Sequence, residues 1–269
     1  MMSFKNGDND MISTKRTAEI DGDNHMNTNR QAATIKERTM KPTAANLICW
    51  AGVSALVAGI SIVVVGIIHP AHLFPSVTTP RFGIAHSLMT IAMSYFGLLG
   101  ITGLYARQVK EAGWLGLAGY LLFSLWLALI APFTFAEAAI LPLLTTAAPT
   151  FVEGFLGIFN GHPVETNLGA LPTLYKLSGP LYILGGLVFG IATFRAGILP
   201  RWAAGLLAVG AALAPAAGLL SHEHQPKVVV PVGLALAWLG YALWADRGAH
   251  AAAPAPGQII PQLGQTGAE

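Results

Sequence analysis

The sequence predicts an all-α membrane protein, a six-helix transmembrane bundle with both termini cytoplasmic, and three observations predict it. Mean hydropathy is +0.57 and only 10% of residues are charged, against about 25% in an ordinary soluble domain. Of the 28 charged side chains, 16 fall in residues 1–43 and 246–269, leaving 12 for the 202 residues between. That middle divides into six apolar runs, each close to the ~20 residues that cross a ~30 Å hydrocarbon layer as helix.

Residues 1–43 mix Asn, Asp, Lys, Arg and Thr with little apolar periodicity, so they read as a disordered cytoplasmic tail. They are no cleaved signal, because the first apolar run starts near residue 44 and is long enough to span. Met26 and Met40 are alternative starts that would place this tail upstream of the true one. The six spans are expected at 45–68, 83–105, 114–138, 179–197, 202–221 and 228–245, within a membrane domain of 44–247. Pro132 and Pro142 interrupt the third span. Residues 248–269 read as a second disordered cytoplasmic tail.

Orientation follows from Lys and Arg in the short loops. Arg30, Lys36, Arg38 and Lys41 precede the first span, Arg107 and Lys110 follow the second, Arg195 and Arg201 follow the fourth, and Arg247 follows the last. The opposite loops carry one each, Arg81, Lys176 and Lys227. Trp50, Trp114, Trp202 and Trp244 fall at the same cytoplasmic boundary, where amphipathic indoles are enriched.

The longest loop, 139–178, lies outside. Within it Phe151, Phe155, Ile158 and Phe159 share one helical face, so Thr150–Asn160 is expected to lie flat on the membrane or cap the bundle. Gly161-His162-Pro163 and Leu171-Pro172 read as turns ending that segment. Small residues recur at four-residue spacing in Ala51, Ala55 and Gly59 and in Gly186 and Gly190. They fit close packing inside the bundle, or a face for a homo- or hetero-oligomer.

Six of the eight histidines, His69, His72, His86, His162, His222 and His224, fall at or beyond the outer boundary, as do Glu137, Glu153, Glu165 and Glu223. Depth along the helices puts His69, His86 and Glu137 at one level. A carboxylate at the edge of hydrocarbon is costly unless paired, protonated or wetted. Two imidazoles and a carboxylate from three helices make a small-molecule or proton-linked site, a divalent metal site as a less favoured alternative, or plain interface residues.

No other chemistry stands out. The chain carries no zinc-protease, nucleophile-elbow, Walker A or dinucleotide fingerprint, and an enzyme is the less favoured reading. Cys49 is the single cysteine, so no disulfide forms within the chain. A formal charge of +2 gives no reason to expect nucleic acid. The expected partners are the lipid bilayer and a small ligand, with no resident cofactor.

Several short motifs come in a definite order: Gly66-Ile-Ile-His69-Pro70, Ala85-His86, Gly103-Leu-Tyr-Ala-Arg107, Phe135-Ala-Glu137, Gly190-Ile-Ala-Thr-Phe-Arg195, Leu199-Pro-Arg-Trp202 and Trp238-Leu-Gly-Tyr-Ala-Leu-Trp244. In that order the chain resembles a group of bacterial six-helix membrane proteins of no assigned activity. The resemblance covers 44–247 and implies a fold and a bacterial plasma-membrane location. It transfers no catalytic residue. The leading functional expectation is transport or sensing through an outward-facing site of His69, His86 and Glu137. The alternatives are a structural or interaction subunit of a membrane complex and, third, a metal-dependent membrane enzyme.

Overall fold

The computed structural model describes residues 44–160, 166–220 and 224–252. The two tails expected to be disordered, 1–43 and most of 248–269, lie outside the described residues. So do His162, Glu165, His222 and Glu223.

Every regular element among the described residues is helical. α1 is Ala44–Ile68, followed by a 3-10 turn at Phe74–Ser76. α2, Pro80–Leu88, runs through a π-helical stretch at Met89–Tyr95 into α3, Phe96–Arg107. α4, Val109–Phe135, passes through a π turn at Ala136–Ile140 into α5, Leu141–Leu144. α6 is Pro149–Asn160, α7 is Leu171–Ala196 and α8 is Arg201–Ala212. Two 3-10 stretches, Ala214–Leu219 and Gln225–Val229, lead to α9, Val230–Ala252.

The boundaries follow local chemistry. Thr79 caps α2, its hydroxyl accepting from the Phe82 amide at 3.3 Å, and Pro80 takes the first turn, where a missing N–H costs nothing. The second span therefore opens three residues earlier than hydropathy suggests. Gly113 has φ +56° and breaks the backbone inside α4, so the membrane-length run restarts at Trp114, as expected. α7 ends at Gly197 in the left-handed conformation, with its amide bonded to the Thr193 carbonyl.

Five helices are long and apolar enough to cross a membrane: Asn46–Ile68, Pro80–Arg107, Val109–Leu144, Leu171–Ala196 and Gln225–Asp246. The segment expected at 202–221 is instead a 12-residue α-helix continued by the 3-10 stretch Ala214–Leu219. Pro215 lacks the amide that would extend the α-helical ladder, and the chain tightens there. The segment expected as an outer loop at 139–178 is also shorter than that. α4 and α5 reach Leu144, and Leu171-Pro172, read as a turn, is the N-terminal turn of α7.

Small residues set the packing. A Cβ on Gly52 would press on the Trp244 amide and the Gly240 carbonyl, one on Gly59 on the Ala237 amide, and one on Gly66 on Val230 and the Pro226 carbonyl. α1 and α9 thus lie antiparallel along their lengths. Gly190 of the second small-residue pair meets the Ala208 backbone, and Gly100 meets Ala55. Both stripes singled out in the sequence are used between helices of this chain, where backbone proximity adds dispersion.

At the Arg107 end, the guanidinium donates from both Nε and Nη2 to Asp246 Oδ2, at 2.9 and 2.8 Å. This joins the last turn of α3 to the end of α9. Phe82, Phe123, Leu127, Phe189, Leu207 and Leu239 fill the bundle interior.

Candidate functional site

The opposite end of the bundle brings together three histidines and a glutamate. α1 stops at Ile68, because Pro70 cannot continue it, and the chain turns through residues 69–73 toward the 3-10 turn. Arg81 pins this exit, its Nε–H donating to the Ile68 carbonyl at 2.7 Å. Two histidines, His69 and His72, stand on the irregular stretch. His86 projects from α2 and is fully buried, beside Phe82 with ring centres 4.0 Å apart. Glu137 comes from the π turn that extends α4 and is 1% exposed. Both helices that supply these buried side chains are thus interrupted by π-helical stretches close to them, a distortion that recurs at functional sites.

The four side chains converge. His72 Nε2 is 3.1 Å from Glu137 Oε1 and His86 Nε2 is 3.4 Å from Glu137 Oε2. The His69 ring centre lies 5.0 Å from that of His72 and 5.1 Å from that of His86. One nitrogen from each of the three imidazoles falls within 4.8 Å of the others. His69, His86 and Glu137 therefore meet, as their common depth suggested. His72 completes the group, and reading the sequence left it on the rim. The signal was its separation from His69 by two residues across a proline, a short ligand spacing of the sort metal sites use.

The hydrogen bonds around the cluster define which atoms are available. His86 Nδ1 lies 2.8 Å from the Phe82 carbonyl, which can only accept, so Nδ1 carries the proton and the neutral ring presents a lone pair at Nε2. That lone pair faces a carboxylate oxygen, another acceptor. His86 Nε2 makes no hydrogen bond. A buried lone pair against a carboxylate oxygen, here Glu137 Oε2 at 3.4 Å, is unfavourable unless a proton or a metal ion stands between them. Thr90 and Thr134 support the floor: the Thr90 hydroxyl lies 2.9 Å from the His86 carbonyl and 2.8 Å from the Thr134 hydroxyl.

Burial holds both loop imidazoles well below the ordinary histidine value, His72 at about 4, and His69 at about 4 with the nearby His72 as a second cause. They are neutral at physiological pH, the form that ligates metal.

Two other residues that the sequence groups with these are described. Glu153 is exposed on α6, and His224 lies at the start of the 3-10 turn before α9. Compared with protein-family models, curated proteins and solved structures, the chain matches none.

Proposed function

We propose that this is a six-pass plasma-membrane protein that binds a divalent transition-metal ion of the Zn2+ type at its outer face, through His69, His72, His86 and Glu137, for transport or sensing. One observation carries the metal reading: the buried acceptor-to-acceptor contact between His86 Nε2 and the Glu137 carboxylate, with two further imidazoles turned to the same point. In a tetrahedral site with bonds of about 2.0–2.1 Å, neighbouring ligand atoms stand about 3.3 Å apart. The contact of His72 with Oε1 at 3.1 Å and that of His86 with Oε2 at 3.4 Å are each near that edge but run to the two oxygens of one carboxylate; the imidazole nitrogens, within 4.8 Å of one another, would draw closer around an ion. Borderline nitrogen and oxygen donors suit zinc and its neighbours better than calcium or magnesium.

The six-pass reading draws on the antiparallel pairing of α1 with α9. The start of α1 and the end of α9 lie together at the Arg107 end, which calls for an even number of crossings. Arg201–Leu219, as α-helix plus 3-10 turn, extends about 30 Å, enough for the sixth. The Lys and Arg distribution makes that end cytoplasmic and the histidine end external.

The test is metal content after purification without added chelator, followed by Zn2+ titration of the metal-free protein. One equivalent bound by the native chain and none by His86→Ala supports the site; no stoichiometric ion and no Zn2+ affinity above that of His86→Ala removes it. A second reading, in which a proton bridges His86 and Glu137, shares the same contact. It predicts no Zn2+ binding but a proton uptake that Glu137→Gln abolishes.

A further inference from the structure

His72, like His69, is held by no helix. It lies on the irregular stretch after α1, and three contacts from elsewhere in the chain bear on its position. Its Nε2 faces Glu137 at 3.1 Å. Its ring stacks flat on Phe159, with centres 4.5 Å apart and planes 6° from parallel. Its backbone carbonyl accepts from Asn160 Nδ2 at 2.8 Å. The last two partners are adjacent residues in the final turn of α6.

α6 reaches this position through a small aromatic seat. Val152, Phe155 and Leu156 are buried, and Phe159 packs edge-on against Tyr175 at 4.6 Å and Phe133 at 6.4 Å. Phe133 sits one helical turn before Glu137 on α4. The seat of α6 and the carboxylate of the site are therefore built on one helix, and His72 is clamped between them. At its N-terminal side α6 hangs from a turn at 145–147 rather than from a continuous helix.

We infer that metal occupancy and the docking of α6 are coupled through His72, so that α6 is the element by which the protein reports or responds to the metal. This rests on the metal-binding reading above and adds its regulation. An ion that takes the His72 Nε2 lone pair fixes the ring on which Phe159 stacks and the carbonyl to which Asn160 donates. By linkage, whatever metal does for α6, docked α6 does for metal affinity in equal measure. Coupling of the usual size corresponds to about 5- to 150-fold in affinity.

The experiment uses the full chain in lipid nanodiscs, with Zn2+ as probe. Amide hydrogen exchange across residues 149–160 is followed with and without the ion, and Zn2+ affinity is measured for the native protein and for Phe159→Ala/Asn160→Ala, which removes no ligand. Coupling predicts that Zn2+ slows exchange in α6 of the native chain, that His86→Ala loses this effect, and that the double variant binds Zn2+ about tenfold more weakly. Zn2+ bound with unchanged α6 exchange and equal affinity in the double variant would overturn the inference and leave the metal site standing. Absence of Zn2+ binding by the native chain would remove both. The exchange measurement on the native protein needs no substitution, so it decides the matter even where the double variant folds poorly.

Discussion

His86 and Glu137 face each other through two acceptors, His86 Nε2 and Glu137 Oε2, 3.4 Å apart in a fully buried setting. The Phe82 carbonyl enforces this by accepting a hydrogen bond from Nδ1–H. The same backbone bond that orients the ring leaves the lone pair of its other nitrogen directed at the carboxylate.

Replacing Glu137 by Gln keeps size and removes the charge. Zn2+ affinity is expected to fall by about 10- to 100-fold or more, on the scale of losses seen when a supporting group of a metal site is removed. Calorimetric titration of the metal-free variant beside the native protein checks it; unchanged affinity would exclude the carboxylate from the site.

Acid should weaken the metal-free fold through His69 and His72. Their folded-state values of about 4 lie below the ordinary 6.5, so the unfolded chain takes up protons first. Stability is then level above pH 6.5 and declines as pH falls from 6.5 toward 4. Thermal unfolding at pH 7, 6 and 5 should show this decline. His72→Asn, which cannot titrate, should flatten it in part.

The two loop imidazoles should hold their metal-ligating form further into acid than ordinary histidines. Burial keeps His69 and His72 neutral through pH 6, so in Glu137→Gln, whose amide does not titrate, Zn2+ affinity is expected to change little between pH 7.5 and 6 and to fall as pH approaches 4. A tenfold or greater loss already at pH 6 in that variant would contradict the burial of these rings.

Gly59→Ala tests the packing of α1 on α9. The added carbon would fall against the Ala237 amide and the Gly233 carbonyl, both backbone atoms that cannot swing away. The expected cost is about 1–3 kcal/mol, read as a lower unfolding temperature in detergent. Gly83→Ala, where nothing lies within 4 Å, should be neutral or mildly stabilising and serves as the control.

Topology is open to cysteine labelling after replacing Cys49 by Ala. Thr78→Cys and Leu219→Cys should react with a membrane-impermeant reagent from one side and Glu111→Cys from the other, all three side chains being exposed. Labelling of Leu219→Cys from the same side as Glu111→Cys would leave Arg201–Leu219 as a segment that enters and returns, and would remove the sixth crossing.

Much of this arrangement was legible in the residues. The approximate places of five long apolar helices followed from composition, and the break at Gly113 coincided with the expected start at Trp114. The common depth of His69, His86 and Glu137 followed from counting rises along helices. Other features escaped because they are tertiary. His72 joins the site through a loop whose path is set by Phe159 and Asn160, nearly ninety residues further along the chain. The 3-10 end of the fifth apolar run escaped because hydropathy counts apolar residues and ignores the amide that Pro215 lacks. The two π turns leave no mark in periodicity over so few residues.

Trp50, Trp114, Trp202 and Trp244, all substantially exposed, stand at the Arg107 end, while the remaining two tryptophans, Trp126 and Trp238, lie within α4 and α9. Indoles favour the headgroup level, and on the proposed six-pass reading the four exposed ones would anchor the cytoplasmic end. A thicker or thinner hydrocarbon layer would then be accommodated more at the histidine end, and the depth of His69 and His72 would depend on the surrounding lipids.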